Sequence, residues 1–462
     1  MRLAWFSPLP PATTGIAAYS ADLLPRLPGH AIDLFVDPTE AATAQAPFGC
    51  HGPFPARDFV WRNVRQPYDL VVYQLGNSPA HDYMWPYVAR FPGLVVLHDA
   101  QVHHSRALAL LTAGRHDDYR AEFAFCHPDA RPGVADAVIS ATAGSLFYLW
   151  PLNRVPIESA RMVAVHTPGL ASLLRDEFAN VAVEVVRMGV SDPGEPASAG
   201  SRKAAQAIRA RHGLNENTVV FAAFGMVTPE KRIAEALRAM KDALRTGQPM
   251  HLLLVGQAVD HYDARADARH VGVEDHVSIT GYVGDDDLRA YLHAADVCLS
   301  MRWPSSRETS AAWLRCLAAG RPTIITDLVH TTDVPVIDPR TWQPLERVWL
   351  DETRGDAGPA SPVAVAIDIL DEQHSLGLAM RRLAIDAPFR AALGRNARAF
   401  WRSQHTVARM ADDYNRVVAL AAERPLPDRA HLPPHVIGDG SAHAREILSP
   451  FGLGEDRLGW NG

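Results

Sequence analysis

Short apolar runs recur along this chain with helical segments between them. In the first half, RLAWFS (2–7), AIDLFV (31–36), DLVVYQL (69–75), GLVVLHD (93–99) and MVAVHT (162–167) are continuous rather than alternating, the pattern of strands covered on both faces. Such strands belong to parallel sheets, so this half is predicted to be a doubly wound α/β domain. The pattern breaks over 190–203, VSDPGEPASAGSRK, where Pro, Gly, Ser and Ala replace the apolar runs as in an exposed connection. It resumes with TVVFAAF (218–224), HLLLVG (251–256), HVSITGY (276–282), DVCLSM (296–301) and PTIITD (322–327), a second doubly wound domain. Among its helices, DDDLRAYLHAA (285–295) opens with aspartates that suit a helix N-terminus. From about 377 to 423 the pattern is helical, and from Pro425 prolines and glycines leave the fold undefined by pattern alone. The resulting division is 1–190, a linker over 191–203, 204–400, a helix over 401–423 that crosses back to the first domain, and a tail over 424–462.

Composition narrows the class. With 462 residues the chain exceeds one ordinary core, which agrees with two domains of roughly 200 residues. The balance of 47% hydrophobic and 21% charged residues is that of a soluble globular protein and excludes disorder as the main state. A formal charge of -7 argues against a general nucleic-acid binder, so any anion site has to be built locally. Cys50, Cys126, Cys298 and Cys316 are widely spaced without a CxxC pair, which fits reduced thiols in a cytoplasmic protein. The opening MRLAWFSPLPPATTG does not read as a signal sequence, and no apolar stretch is long enough to span a bilayer. Peripheral contact with the inner membrane face is compatible with both observations.

Ligands of open α/β sheets gather at the carboxyl ends of the strands, which ranks the polar residues there. Gly15 follows the first strand and precedes a helix, either a plain turn or a close approach to an anion. Gln74, Asn77, His98 and Asp99 follow the third and fourth strands, where they can bind a hydroxyl-bearing substrate. His98 reads equally as an acid/base group or as a structural histidine beside a capping aspartate. His98, Asp99, His103 and His104 match no helical zinc spacing, so no metal is expected. Gly225, Lys231 and Arg232 lie between a strand and an amphipathic helix, placed either to neutralise a diphosphate or to form a solvated face. Glu308, Thr309 and Ser310 stand ahead of another helix; the glutamate can take sugar hydroxyls or favour the helix dipole, and the other two can cap or bind phosphate.

Taken in order, TTGIAAYS, LVVLHD, VAVHTPG, VRMGVSDP, FGMVTPEKR, ITGYVGDDDLRAYLHAADVCLS and RETSAAWLRCLAAGRPTIITD resemble the retaining glycosyltransferases of family 4 over roughly residues 1–423. The resemblance implies the GT-B architecture, two Rossmann-like doubly wound domains facing a cleft, with C-terminal helices. It implies transfer of a hexose-type sugar from a nucleotide-sugar to a glycan, lipid-linked or small-molecule acceptor, with retention and without an obligatory metal or cofactor. A noncatalytic sugar-nucleotide binder, or another GT-B enzyme such as an epimerase, is the alternative. Carried onto this chain, Gly15 approaches the donor diphosphate, Lys231 neutralises it with help from Arg232, and Gly225 leaves it room. Glu308 binds the transferred sugar, the Thr309 and Ser310 amides hold phosphate, and backbone near Tyr282 and Val283 meets the base. His98 sits beside the reacting sugar, with Gln74, Asn77 and Asp99 on the acceptor side. Two positions depart from the pattern. Met226 stands where the family usually has an arginine, and Arg315 where it has a second, ribose-binding glutamate; the first falls at Arg307, one before Glu308. Helical spacing of seven is expected to turn Glu308 and Arg315 into one pocket.

Overall fold

The computed structural model describes residues 1–142, 144–328, 331–345, 361–438 and 447–452. The rest of the expected tail, 439–446 and 453–462, lies outside the described residues. The chain divides into two compact units: Met1–Ala164, Leu174–Glu184 and Arg416–Gly462 form the first, and Val165–Leu173 with Val185–Asn415 the second.

The first unit carries β1 (Arg2–Phe6), β2 (Ala31–Val36), β3 (Cys50–Pro55), β4 (Leu70–Leu75), β5 (Leu94–Leu97), β6 (Met162–Val165) and β7 (Val183–Val185) in the order β3-β2-β1-β4-β5-β6-β7. Five of these are the apolar runs of the sequence. Parallel registers place Phe6 beside Phe35 of β2 and Tyr73 of β4. The two missed strands are edges. CHGPFP of β3 contains a glycine and two prolines, tolerated where one side of the ladder is unpaired, and β7 has three residues. An aromatic core joins Phe6 to Phe35 at 5.1 Å and Phe59 at 5.2 Å between ring centroids.

The second unit holds β8 (Val219–Phe224), β9 (Met250–Val255), β10 (Val277–Ile279), β11 (Val297–Ser300), β12 (Thr323–Thr326), β13 (Val336–Ile337) and β14 (Ala364–Ile367) in the order β10-β9-β8-β11-β12-β14-β13. Alternate residues feed opposite faces. Val219, Phe221 and Ala223 join Leu237 and Met240 of the helix Ile233–Leu244, whereas Val220, Ala222 and Phe224 join Tyr291 and Leu292 of Asp285–Ala294. Burial on both sides explains why these strands read as unbroken apolar runs.

The C-terminal helical region is three helices, Glu372–Ile385, Ala387–Gln404 and Val407–Glu423. The first break is chemical, since Asp386 accepts a hydrogen bond from the Phe389 amide at 3.0 Å and Pro388 follows in the first turn. The stretch expected as an exposed connection is largely exposed and is tied to the second unit by ion pairs. Buried Arg398 reaches Asp192 at 3.1 Å and Glu195 at 2.9 Å, and Ser198 caps a helix, Ala199–Arg211, that begins inside the expected connection. By contact the chain changes unit at Glu184–Val185 rather than at 190.

The tail acquires a definite place. Leu432 and Val436 are buried, Arg429 donates to the Ala89 and Arg90 carbonyls, and His435 Nε2 lies 2.8 Å from Glu122. Burial opposes ionisation of Glu122, but Arg106 and His435 outweigh it and hold the carboxyl below its ordinary range.

Candidate functional site

In the second unit the strand order reverses between β8 and β11, the position where an open α/β sheet leaves a crevice. Phe224, Ser300 and Thr326, the last residues of β8, β11 and β12, all line one pocket there. Lys231, Arg302, Ser305, Glu308, Thr309 and Ser310 line it as well, as does Asp333.

The chain leaves β8 through Gly225 at φ +84°, a backbone state that glycine adopts without strain. It then makes a short turn, Pro229–Lys231, that sends Lys231 Nζ back to donate to the Phe224 carbonyl. A methyl group at Gly225 would stand 3.1 Å from that Nζ. Burial, followed by the charge of Arg302, pushes the Lys231 ammonium down from 10.5 to about 7. A cation held at this margin is stabilised by an incoming anion, because the anion offsets both causes at once.

Arg302 enters from β11. Its amide donates to Thr326 Oγ1 at 3.0 Å, and its Nε meets Glu308 Oε1 at 2.7 Å. Ser305 Oγ donates to the other Glu308 oxygen at 2.9 Å, and the Trp303 amide donates to the Glu230 carbonyl at 2.7 Å, tying this loop to the Lys231 turn. Ser310 caps the helix Ala311–Ala318 by accepting from the Trp313 amide at 3.2 Å. The pocket thus combines two cations, a carboxylate with polar partners, a second carboxylate at Asp333 and a helix N-terminus; the cations and the helix suit a phosphate chain and the carboxylates a hydroxylated ring.

Several expected residues stand elsewhere. Arg232 is committed to Glu372 through two hydrogen bonds of 2.8 and 2.5 Å and to Glu235 at 3.1 Å, so its fork is used within the fold. Glu308 and Arg315 do not share a helical face: the helix begins only at Ala311, behind an extended Ser310, so the seven-residue spacing is not helical throughout. Arg315 is half-buried in the last turn, is not among the pocket-lining residues, and its carbonyl accepts from the Ala319 amide at 2.9 Å. Tyr282 is exposed and Val283 half-buried in the loop before Asp285–Ala294, also away from this lining. Arg302 was missed, although a cation directly after DVCLSM marks a strand's carboxyl end. Thr167 and His405 were missed too, since only the fold brings them to the lining. His405 Nδ1 donates to the Met188 carbonyl at 2.9 Å, and burial lowers its pKa to about 4.

At the corresponding edge of the first unit, the four polar residues do come together. His98 Nε2 donates to Gln74 Oε1 at 2.8 Å, and the ring stands edge-on to Tyr19 at 4.7 Å. Asp99 accepts from the Asn77 amide at 2.7 Å, while the Asn77 side chain donates to Gln101 at 3.3 Å and accepts from the Ser105 amide at 3.0 Å. Gly15 opens the helix Gly15–Leu23, capped by Thr14, and a methyl group there would meet open space. His103 is a core residue held between the Trp150 carbonyl at 2.7 Å and Tyr119 at 2.8 Å, and His104 packs on Phe147. No group of three or more His, Cys, Asp or Glu placed to hold a metal occurs among the described residues.

Residues 216–338, most of this second-unit sheet, match the family model described as glycosyl transferases group 1. An α-monoglucosyldiacylglycerol synthase of Streptococcus pneumoniae is 26% identical over 118 residues, which is 25% of this chain and 26% of that enzyme. The chain thus spans about a quarter of the length of that curated relative. Sucrose-phosphate synthase from Thermosynechococcus elongatus superposes with a TM-score of 0.58 at 17% identity, covering 91% of this chain and 100% of that one. HepE from Anabaena, solved with UDP and glucose, gives 0.53 at 14% identity over 91% and 100%. With two parallel seven-stranded sheets and these chain-length superpositions, the protein has the GT-B fold, and its second unit carries the sequence signature of the group 1 glycosyl transferases.

Proposed function

We propose that this protein is a glycosyltransferase that moves a hexose from a nucleotide-sugar to a hydroxyl acceptor with retention of configuration. The carrying observation is the convergence of Lys231, Arg302 and Glu308 on one pocket at the switch point of the second sheet. In this reading Lys231 and Arg302 take the donor diphosphate from β8 and β11, so Arg302 does the work expected of Arg232. The first amides of Ala311–Ala318 add their partial positive charge. As the glycosidic bond breaks, negative charge grows on the leaving diphosphate, and these groups are already oriented toward it. Glu308, fixed by Arg302 and Ser305, accepts hydrogen bonds from the hydroxyls of the transferred sugar. His98, Gln74, Asn77 and Asp99 serve the acceptor side. No metal or other cofactor enters this scheme.

HepE binds UDP and glucose, and the partial relative is named for glucosyl transfer to a lipid; UDP-glucose with a diacylglycerol acceptor is therefore the first pair to try. The purified chain is incubated with UDP-, GDP- and ADP-sugars, with lipid, glycan and small hydroxyl acceptors, while nucleotide release is followed. Acceptor-dependent release and an α product from an α donor support the proposal. Donor binding without turnover across the panel would leave a noncatalytic binder.

A further inference from the structure

Among the residues lining the second-unit pocket, His405 arrives from furthest along the chain. It stands in the break between the helices Ala387–Gln404 and Val407–Glu423. Its amide donates to the Trp401 carbonyl at 2.8 Å, and its carbonyl accepts from the Val190 amide at 3.0 Å. Trp401 Nε1 in turn donates to the Val190 carbonyl at 3.2 Å, so the backbone at this break is held by two segments of the unit.

The ring is held as firmly as the backbone. A carbonyl oxygen only accepts, so the 2.9 Å contact between Nδ1 and the Met188 oxygen puts the ring proton on Nδ1. Burial outweighs that contact, lowers the pKa to about 4 and keeps the imidazole neutral at ordinary pH. Nε2 therefore carries a lone pair and has no proton to donate. His405 is 6% exposed, and its Nε2 has no hydrogen bond among the described residues. Burying an acceptor without a partner is costly, and a ligand that brings a hydroxyl to the pocket removes that cost.

The neighbours on the lining sharpen the match. Lys231 and Arg302 suit a diphosphate, whereas Glu308 and Asp333 are carboxylates that accept from hydroxyls. His405 adds an acceptor without adding charge, so it acts on the sugar and leaves the grip on phosphate unchanged. We propose that His405 is a specificity-determining residue, whose Nε2 accepts a hydrogen bond from one free hydroxyl of the transferred hexose. The substrate class is thus a hexose with that hydroxyl unsubstituted. A sugar lacking it, or carrying it as an ether, is rejected because Nε2 then stays buried without a partner. This inference rests on the sugar-transfer reading, which puts the hexose in this pocket.

The test is calorimetric titration of the full chain with UDP, GDP and ADP and with the glucose, galactose and mannose conjugates of each. The conjugate that binds most tightly is then compared with its monodeoxy forms. In the parent chain, one deoxy position should weaken binding by about tenfold or more. His405→Asn keeps a side-chain amide to donate to Met188 and has no atom in the place of Nε2. It should bind the bare diphosphate within about twofold of the parent, bind the conjugate about tenfold more weakly, and lose the discrimination against that deoxy form. An unchanged thermal melt confirms an intact fold; should His405→Asn unfold, His405→Phe, of like shape without an acceptor, is read in its place. No deoxy penalty at any position of the parent, an unchanged penalty in the variant, or equal weakening of diphosphate and conjugate overturns the proposal. Failure of every diphosphate and conjugate to bind the parent removes the sugar-transfer reading itself, and this proposal with it.

Discussion

Lys231 is the residue on which the electrostatics of the second-unit pocket turn. Its charge is opposed by burial first and by Arg302 second, and the negative charge of a diphosphate compensates for both. The sign follows from the lowered pKa: the ammonium is half charged near pH 7, gains charge below it and loses its proton as pH rises through that value. Nucleoside diphosphate affinity is therefore expected to decline between about pH 7 and 9, by up to about tenfold per pH unit. Arg302→Met removes the like charge that lowers the lysine, so the decline should move to higher pH while affinity at neutral pH drops. Calorimetric titrations across this range check both effects. An unshifted profile would show that Arg302 does not act on the lysine. Arg302 was legible in principle, as a cation directly after an apolar run. Arg232 was misread because sequence shows a basic pair and not its partner; Glu372 lies 140 positions away and pairs with it in the fold.

At the scale of elements, the pocket depends on how closely the ends of β8 and β9 approach. Gly256, at φ +153°, faces Gly225 so tightly that a methyl group would lie 2.3 Å from the Gly225 carbonyl oxygen. That neighbour is backbone and cannot swing away. Gly256→Ala is expected to cost about 2–4 kcal/mol and to displace Gly225 with the lysine turn behind it. Thermal unfolding and nucleotide titration should therefore fail together; an unchanged melt would show that the strand ends separate freely. The same elements explain what the sequence disclosed. The continuous apolar runs of β8, β9, β11 and β12 announce strands because both faces are buried. The loop 302–310 offers no period to read: Glu308 and Arg315 are seven apart, but only the second is helical. β7 and β13 were missed because they are short, and β3 because proline and glycine interrupt it; β14, AVAI, is as long and as apolar as β11 and β12 and was overlooked despite carrying the same signal.

Across the whole molecule, histidines are buried in both units. Burial lowers His81 and His103 in the first unit, and His166 and His405 in the second, to about 4. Because these folded-state values lie below the ordinary 6.5, the unfolded chain takes up the protons first as pH falls. Their contribution is complete above about pH 6.5 and is lost between there and about 4, each site costing up to about 1.4 kcal/mol per pH unit. Denaturant midpoints measured from pH 7 to 4.5 should fall with an uptake of more than one proton on unfolding. The two-sheet architecture was legible because periodicity is a property of whole segments. Tail docking through His435 and Glu122, and the reach of Thr167 and His405 to the second-unit pocket, depend on long-range contacts that leave no local pattern. The central claim is that this pocket binds a nucleotide diphosphate through Lys231. Its most direct test is titration of UDP, GDP and ADP into the full chain and into Lys231→Ala near pH 6.5. At least one diphosphate should bind the parent chain, and the substitution should weaken it by about 30-fold or more, the loss of a charge-assisted contact. Absence of binding by all three, or equal affinity in the variant, would contradict the claim.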